Sequence, residues 1–341
     1  MARRKPFWAR YSDEELLDLR FRDLKIGIPG SALADRIDRL YEELERRDLR
    51  FRPHCWLSEE WFSPDGIPGI GIPFYLAHPR LMRLEARQMF GVEGATDAWC
   101  MQLLRHEAGH AVCTAFQLHR RKRWRQLFGR FTKAYPKEYT PRPQSRNFVL
   151  HLDWWYAQSH PAEDFAETFA VWLRPRSNWR RLYVGWPVLR KLEYVDELMQ
   201  SIARKRPAVH SREHVESLRD NRRTLRQHYE EKREAYGVNV PEVYDGDLRR
   251  LFPDDPALNG RRRSAAVFLR RSQSELCQLC ARGTGEHPYV FAQILQEMIQ
   301  RCRALKLYLT RRPEDVRVDV AIFITLQTLN YLHQVHHRVT I

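Results

Sequence analysis

Two histidines and a glutamate lie close together in the order His106-Glu107-Ala-Gly-His110. On a helix, residues four positions apart lie on the same face, so both imidazoles could bind one metal ion. Glu107 would lie beside that ion, where it could take a proton from a metal-bound water. This spacing is typical of a zinc-dependent hydrolase. The alternative interpretation is an amphipathic helix that carries two surface histidines.

The residues around this motif favour a buried helix over residues 97–118. Apolar side chains flank the motif from Ala98 to Phe116, and Asp97 is the predicted N-cap. Histidine and glutamate side chains that are buried in such a helix need polar partners, which a metal ion would supply. The surroundings of the motif therefore favour zinc chemistry over the surface-helix alternative.

A second apolar helix is predicted over residues 161–174. Ser159 and Pro161 mark its start, and the helix must end before Pro175. The small side chain of Ala166 leaves room on one face of this helix, so another helix can approach it closely.

Acidic side chains on the second helix could complete the metal site. A catalytic zinc ion needs a third protein ligand and an open position for water, and Glu163 is the predicted ligand. Asp164 and His160 are the alternatives for that position. Glu167, one turn further on, could hydrogen-bond to a metal-binding histidine, and Asp164 is a second candidate for such support. Tyr156 could stabilise the oxyanion of a tetrahedral intermediate, or it could be a core residue.

Two segments together carry a resemblance to a known family. Residues 105–110 (Arg-His-Glu-Ala-Gly-His) and 160–170 (His-Pro-Ala-Glu-Asp-Phe-Ala-Glu-Thr-Phe-Ala) resemble the bacterial zinc-binding metallopeptidases of the gluzincin kind. The resemblance also includes residues 61–66 and 72–76. It implies a zincin-like catalytic domain with one catalytic zinc ion (Zn²⁺) that hydrolyses peptide bonds.

The resemblance also implies roles for individual residues. In gluzincins a glutamate on a downstream helix completes the zinc site, which implies Glu163 as the ligand here. The sequence at 163–167 is also similar to the lethal-factor toxins, in which the first glutamate binds zinc, the second supports it and an upstream tyrosine assists. Glu167 is thereby implied as the supporting group and Tyr156 as the helper. The resemblance gives no substrate.

The predicted fold class is α+β and mainly helical. Residues 1–245 would form the zincin-like metallopeptidase domain, with an N-terminal lobe over residues 1–95 and a small edge sheet. Extended segments are expected at residues 49–56, 67–76 and 148–152.

Residues 246–341 are predicted to form a helical C-terminal extension. Its helices are expected near residues 262–282, 287–309 and 313–337. Cys277 and Cys280 form a single Cys-x-x-Cys pair, and a four-ligand zinc site would also need Cys302 and His287. The favoured interpretation is that these cysteines are structural, and the sequence leaves the role of this region open.

Charge and composition limit the partners and the compartment. The net charge of +15 favours anionic partners. The alternative to a peptidase with a peptide or protein substrate is thus a basic nucleic-acid-associated protein with a structural or vestigial zinc site. A DNA-linked protease would combine both functions. The sequence contains no recognisable signal peptide, no membrane-spanning apolar run and no regular cysteine framework. These features predict a cytoplasmic protein whose oligomeric state is open.

Overall fold

The computed structural model describes most of the chain, and this part folds into two compact units. The first unit is Met1–Leu84 with Glu93–Arg226 and Val339–Ile341, and the second is Glu85–Val92 with Gln227–Arg338. The predicted boundary after residue 245 stays a prediction. The described residues are 6–89, 91–136, 138–139, 142, 144–236, 245–252, 263–335 and 339–340.

Helices form most of the described chain, which confirms the predicted α+β, mainly helical fold class. The α-helices are α1 (Asp13–Leu17), α2 (Ala32–Glu45), α3 (Pro79–Met89), α4 (Asp97–Ala115), α5 (Lys122–Leu127), α6 (Pro161–Leu173), α7 (Trp179–Leu182), α8 (Leu189–Ile202), α9 (Leu225–Ala235), α10 (Asp245–Leu251), α11 (Ala265–Thr284), α12 (Pro288–Ala304) and α13 (Pro313–Val335). The strands are β1 (His54–Ser58), β2 (Gly69–Pro73), β3 (Glu138–Tyr139) and β4 (Val339–Thr340).

β1 and β2 form a two-stranded parallel sheet in the first unit, in a register that starts with His54 opposite Gly69. All residues of β2 are buried. The backbone of Phe62 bridges β2 at Gly71, with hydrogen bonds in both directions. Only Gly69–Pro73 of the extended segment predicted at residues 67–76 forms a strand, because Phe74–Ala77 is a 3-10 helix. The second edge of this strand is covered at Gly71.

α4 carries the two histidines, and its N-cap lies one residue before the predicted one. Thr96 is the N-cap, because its Oγ1 accepts a hydrogen bond from the backbone N–H of Trp99 at 3.2 Å. Asp97 lies in the first turn instead and forms ion pairs with Arg39 and Arg36, at 2.5 and 3.3 Å. A carboxylate in the first turn is also favourable to the helix dipole.

Contacts on two sides fix α4 against its neighbours. On one side Arg105 donates hydrogen bonds of 2.7 and 2.8 Å to the carboxylate of Glu43 in α2. On the other side Gly109 faces Ala166 of α6, where a Cβ at position 109 would lie only 2.8 Å from Ala166 Cα. The predicted close approach of a helix to Ala166 is confirmed.

α6 begins at Pro161, the predicted start of the helix. Pro161 takes the first helical position, and His160 is the N-cap, with Nδ1 accepting a hydrogen bond from the Ala162 N–H at 3.2 Å. Ser159 is buried just before this cap. Every residue of α6 after Pro161 is buried. The helix therefore carries Glu163, in its first turn, into the core.

α11, α12 and α13 form the core of the second unit, which confirms the helices predicted there. Cys277, Cys280 and Cys302 are buried in this apolar core as free thiols. His287 is the N-cap of α12, with Nδ1 accepting a hydrogen bond from the backbone N–H of Tyr289 at 3.1 Å. Within the described ranges, no helix has the length and apolarity needed to cross a membrane.

Candidate metal centre

Three side-chain atoms converge where α4 packs against α6. His106 Nε2 lies 3.0 Å from Glu163 Oε2, His110 Nε2 lies 3.1 Å from the same oxygen, and the two Nε2 atoms are 3.1 Å apart. Among the residues that the structure describes, this is the sole group of His, Cys, Asp or Glu side chains compact enough to hold a metal ion. The structure thus brings the three predicted ligands together.

The donor set fits a zinc ion. A carboxylate can only accept, so His106 Nδ1 donates to Glu167, and the lone pair of a neutral His106 ring lies on Nε2. Electron-pair donors then face one another, an arrangement that requires a cation or an additional proton between them. Ligand atoms about 2.0–2.1 Å from a tetrahedral zinc ion lie roughly 3.3 Å apart, close to the observed separations. Two imidazoles and a glutamate are also an established ligand set for catalytic zinc.

The pKa values of the clustered groups shift in opposite directions. Burial lowers the pKa of His106, but Glu163 and Glu167 together raise it more, so that it lies well above the ordinary value. Burial raises the pKa of Glu163, but His110 and His106 together lower it well below the ordinary value. The site therefore favours positive charge among its ligands, and a divalent cation brings such charge.

Glu167, one turn after Glu163 on α6, forms a hydrogen bond to His106. Its Oε1 accepts a hydrogen bond from His106 Nδ1 at 2.8 Å, and its Oε2 accepts one from the backbone N–H of Leu152, also at 2.8 Å. Such a bond fixes the tautomer and the ring orientation of a metal-binding histidine. His106 is therefore oriented so that Nε2 faces Glu163.

The strand predicted at residues 148–152 is wrong, because this segment pairs with no strand in the described part of the chain. Its backbone instead bonds to side chains of α4 and α6. His151 Nε2 donates to the backbone oxygen of Gln102 at 3.0 Å, and the Gln102 amide donates to the backbone oxygen of His151. The Leu152 N–H then reaches Glu167. The mostly apolar sequence of residues 148–152 suits an extended segment of this kind as well as it suits a strand.

The two predicted catalytic residues lie beside the histidines. Glu107 is buried, and its Oε2 has no hydrogen-bond partner among the described residues, although buried carboxylate oxygens usually have one. Burial raises the pKa of Glu107. The ring centre of Tyr156 lies 5.7 Å from that of His106, and burial, followed by Glu163 and Glu107, raises the pKa of its phenol. Their catalytic roles stay predictions.

Asp164 has a different partner from the predicted one. Its Oδ2 accepts a hydrogen bond from Lys191 Nζ at 2.6 Å, and Lys191 also donates to the backbone oxygen of Asn147 at 2.8 Å. Burial raises the pKa of Asp164 to about 7, although Lys191 lowers it. Consecutive helical residues point about 100° apart, so Asp164 cannot share the direction of Glu163. The structure corrects both the supporting role and the alternative ligand role of Asp164.

His160, the other alternative ligand, has both ring nitrogens occupied by the backbone: Nδ1 accepts from Ala162, and Nε2 donates to the Lys133 oxygen at 2.8 Å. Its ring stacks on Tyr135 at 3.8 Å between centres, and the Tyr135 hydroxyl donates to Glu163 Oε1 at 2.7 Å. Tyr135 is not among the predicted site residues. A single tyrosine in a proline-rich loop has no periodicity that could reveal it.

Comparison with known proteins points to the same part of the chain. Residues 100–180 match the model of a family described as "Putative zinc-binding metallo-peptidase". The matched segment contains His106, His110 and Glu163 together with both helices that carry them. No curated protein and no solved structure matches the chain.

Proposed function

We propose that this chain, whose residues 100–180 match the model of a zinc-binding metallopeptidase family, is a zinc-dependent peptidase. His106, His110 and Glu163 would hold the ion. The observation that carries the proposal is the convergence of their Nε2, Nε2 and Oε2 atoms at separations of 3.0, 3.1 and 3.1 Å. Three protein ligands leave the open position that a catalytic zinc site requires.

The chemistry requires a metal ion and a base. When bound, zinc supplies a Lewis acid that polarises the substrate carbonyl and lowers the pKa of a water molecule. Glu107 accepts a proton from the attacking water, whose oxygen forms a bond to the carbonyl carbon. Glu107 then delivers that proton to the amide nitrogen as the C–N bond breaks. Its raised pKa suits both transfers.

Two further side chains would assist this reaction. Glu167 holds His106 in the tautomer whose Nε2 is free to bind metal. Tyr156 would donate a hydrogen bond to the developing oxyanion, where a neutral phenol is the required form. A tyrosine phenol is already neutral near pH 7, and the raised pKa of Tyr156 keeps it neutral at higher pH as well.

Substitution of the base tests the mechanism. Glu107→Gln should retain zinc, because Glu107 is not a ligand, but it should lose cleavage of a mixed peptide library by at least about 100-fold, the scale of general-base catalysis. Glu193→Gln on the exposed face of α8 is the matched control and should leave cleavage unchanged. Full cleavage by the Glu107→Gln protein would remove Glu107 from the mechanism.

Substitution of the third ligand tests the metal site separately. Glu163→Ala should lower the zinc content per chain sharply, as measured by elemental analysis after gel filtration. An unchanged zinc content would show that Glu163 is not a ligand. The Glu107→Gln protein serves as the zinc-retaining comparison in the same measurement.

We also propose a cytoplasmic location and a peptide or protein substrate. All six cysteines are free, as is usual in a reducing compartment. Association with nucleic acid is a further proposal that rests on the net charge of +15. Binding to a DNA duplex that weakens steeply with salt would support it.

A further inference from the structure

The loop that precedes the metal centre is bound to the start of α6. His160 provides most of this attachment, because its Nε2 donates to the Lys133 oxygen at 2.8 Å and its ring stacks on Tyr135 at 3.8 Å. Gly129, with φ of +112°, lies against Pro161, where a Cβ would come within 3.2 Å of the proline ring. The contacts hold residues 129–135 against the first turn of the helix that carries Glu163.

Tyr135 is about half exposed, yet its hydroxyl points inward to a buried carboxylate. The hydroxyl donates to Glu163 Oε1 at 2.7 Å, while Oε2 of the same carboxylate faces His106 and His110. Hydrogen bonds from a hydroxyl to an ionised carboxylate are among the stronger ones in proteins. The two oxygens of Glu163 therefore have separate partners.

We propose that Tyr135 is a positioning residue that restricts Glu163 to metal binding through Oε2 alone, and that His160 positions Tyr135. This inference rests on the proposed function. A carboxylate that bound the metal through both oxygens would occupy the position needed for water and substrate. The Tyr135 hydroxyl engages Oε1 and so keeps that position open.

Metal binding gives a readout that does not depend on activity. The metal-free protein is titrated with Zn²⁺ in competition with a chromophoric chelator, and then with Co²⁺ to record the visible absorption spectrum. Tyr135→Phe should weaken zinc binding about tenfold, as is typical when a group that supports a ligand is removed. It should also weaken the Co²⁺ absorption, because a second carboxylate oxygen raises the coordination number.

A matched control and a second variant separate this role from a general loss of structure. Tyr41→Phe removes a hydroxyl that donates to the Pro53 oxygen at 2.7 Å, away from the site, and should change neither readout. His160→Asn retains a good helix N-cap but removes the ring that stacks on Tyr135. It should weaken zinc binding to a similar extent as Tyr135→Phe.

The double variant decides whether the two residues act through one path. If His160 acts through Tyr135, the double variant Tyr135→Phe/His160→Asn should bind zinc no more weakly than the weaker of the single variants. Additive losses would overturn the role of His160. A Tyr135→Phe protein with wild-type zinc affinity and a wild-type Co²⁺ spectrum would overturn the whole inference. Failure of the wild-type chain to bind zinc would instead overturn the proposed function.

Discussion

Gly109 lies at the closest approach of α4 and α6, so a single methyl group there should disturb the metal centre. A Cβ at this position would lie 2.8 Å from Ala166 Cα and 3.1 Å from the Ala166 oxygen. Both atoms belong to the backbone of α6 and cannot rotate away. Ordinary carbon contacts are about 3.5–4.0 Å, so the two helices must separate locally by about 1 Å.

The effect on stability should be small, whereas the effect on metal binding should be large. Overpacking costs about 1–3 kcal/mol, but alanine gains about 1 kcal/mol over glycine within a helix. Gly109→Ala should thus lower the free energy of unfolding by about 0–2 kcal/mol. The same movement would carry Glu163 about 1 Å away from the two histidines, beyond the roughly 3.3 Å that zinc can bridge. We expect about 100-fold weaker zinc binding, the upper end of losses from disturbed ligand support.

The assay is chelator-competed zinc titration, combined with urea unfolding of the metal-free protein. Gly283→Ala is the matched control, because it is also a glycine-to-alanine change within a helix, and no atom lies within 4 Å of the added methyl group. This control should bind zinc normally and should be equally or more stable. A folded Gly109→Ala protein that binds zinc as tightly as the wild type would refute the argument that close helix packing sets the ligand geometry.

Two further perturbations follow from the same contacts. Lys191→Met leaves the buried carboxylate of Asp164 without its partner and should lower the free energy of unfolding, measured in urea, by about 3–5 kcal/mol. The control Lys205→Met changes an exposed lysine and should lower that free energy by less than about 0.5 kcal/mol. A loss below about 1 kcal/mol in the Lys191→Met protein would contradict the importance of this pair. Removal of zinc by a chelator should lower the midpoint of thermal unfolding, since free zinc at 100 times its dissociation constant stabilises the folded state by about 2.7 kcal/mol. The Glu163→Ala protein should have the same midpoint of thermal unfolding with and without chelator. If the midpoint of the wild-type protein were also unchanged by the chelator, zinc binding by the folded site would be contradicted.

The two helices of the candidate site could be predicted because their residues carry both the chemistry and the periodicity. His106 and His110 are four residues apart in an apolar segment, and Glu163 and Glu167 repeat that spacing after Pro161. Each pair must therefore share a helix face. The structure places the two pairs opposite each other, with the hydrogen bonds that their residue types allow.

The groups that complete the site come from segments without a repeating pattern. Tyr135 lies in a loop and Leu152 contributes only a backbone N–H, so neither leaves a signal in the sequence. Asp164 adjoins Glu163 in the sequence, but it points in a different direction on the helix and pairs with the distant Lys191. Such pairings depend on tertiary packing, which local propensity does not determine.

Each supporting contact binds the atom of a ligand side chain that does not face the metal. We therefore expect substitutions of the supporting residues to change zinc affinity more than the stability of the fold. The second ring nitrogen of His106 is bound by Glu167, and the second oxygen of Glu163 is bound by Tyr135. These ligand side chains are thus already ordered in the folded protein before an ion binds. If they were ordered only on binding, the loss of conformational entropy would lower the affinity for the ion. If one supporting contact is lost, the ligand side chain becomes ordered only when the ion binds, and the affinity falls. The apolar contacts of α4 and α6 stay intact. Zinc affinity is consequently a more sensitive measure of these residues than the free energy of unfolding.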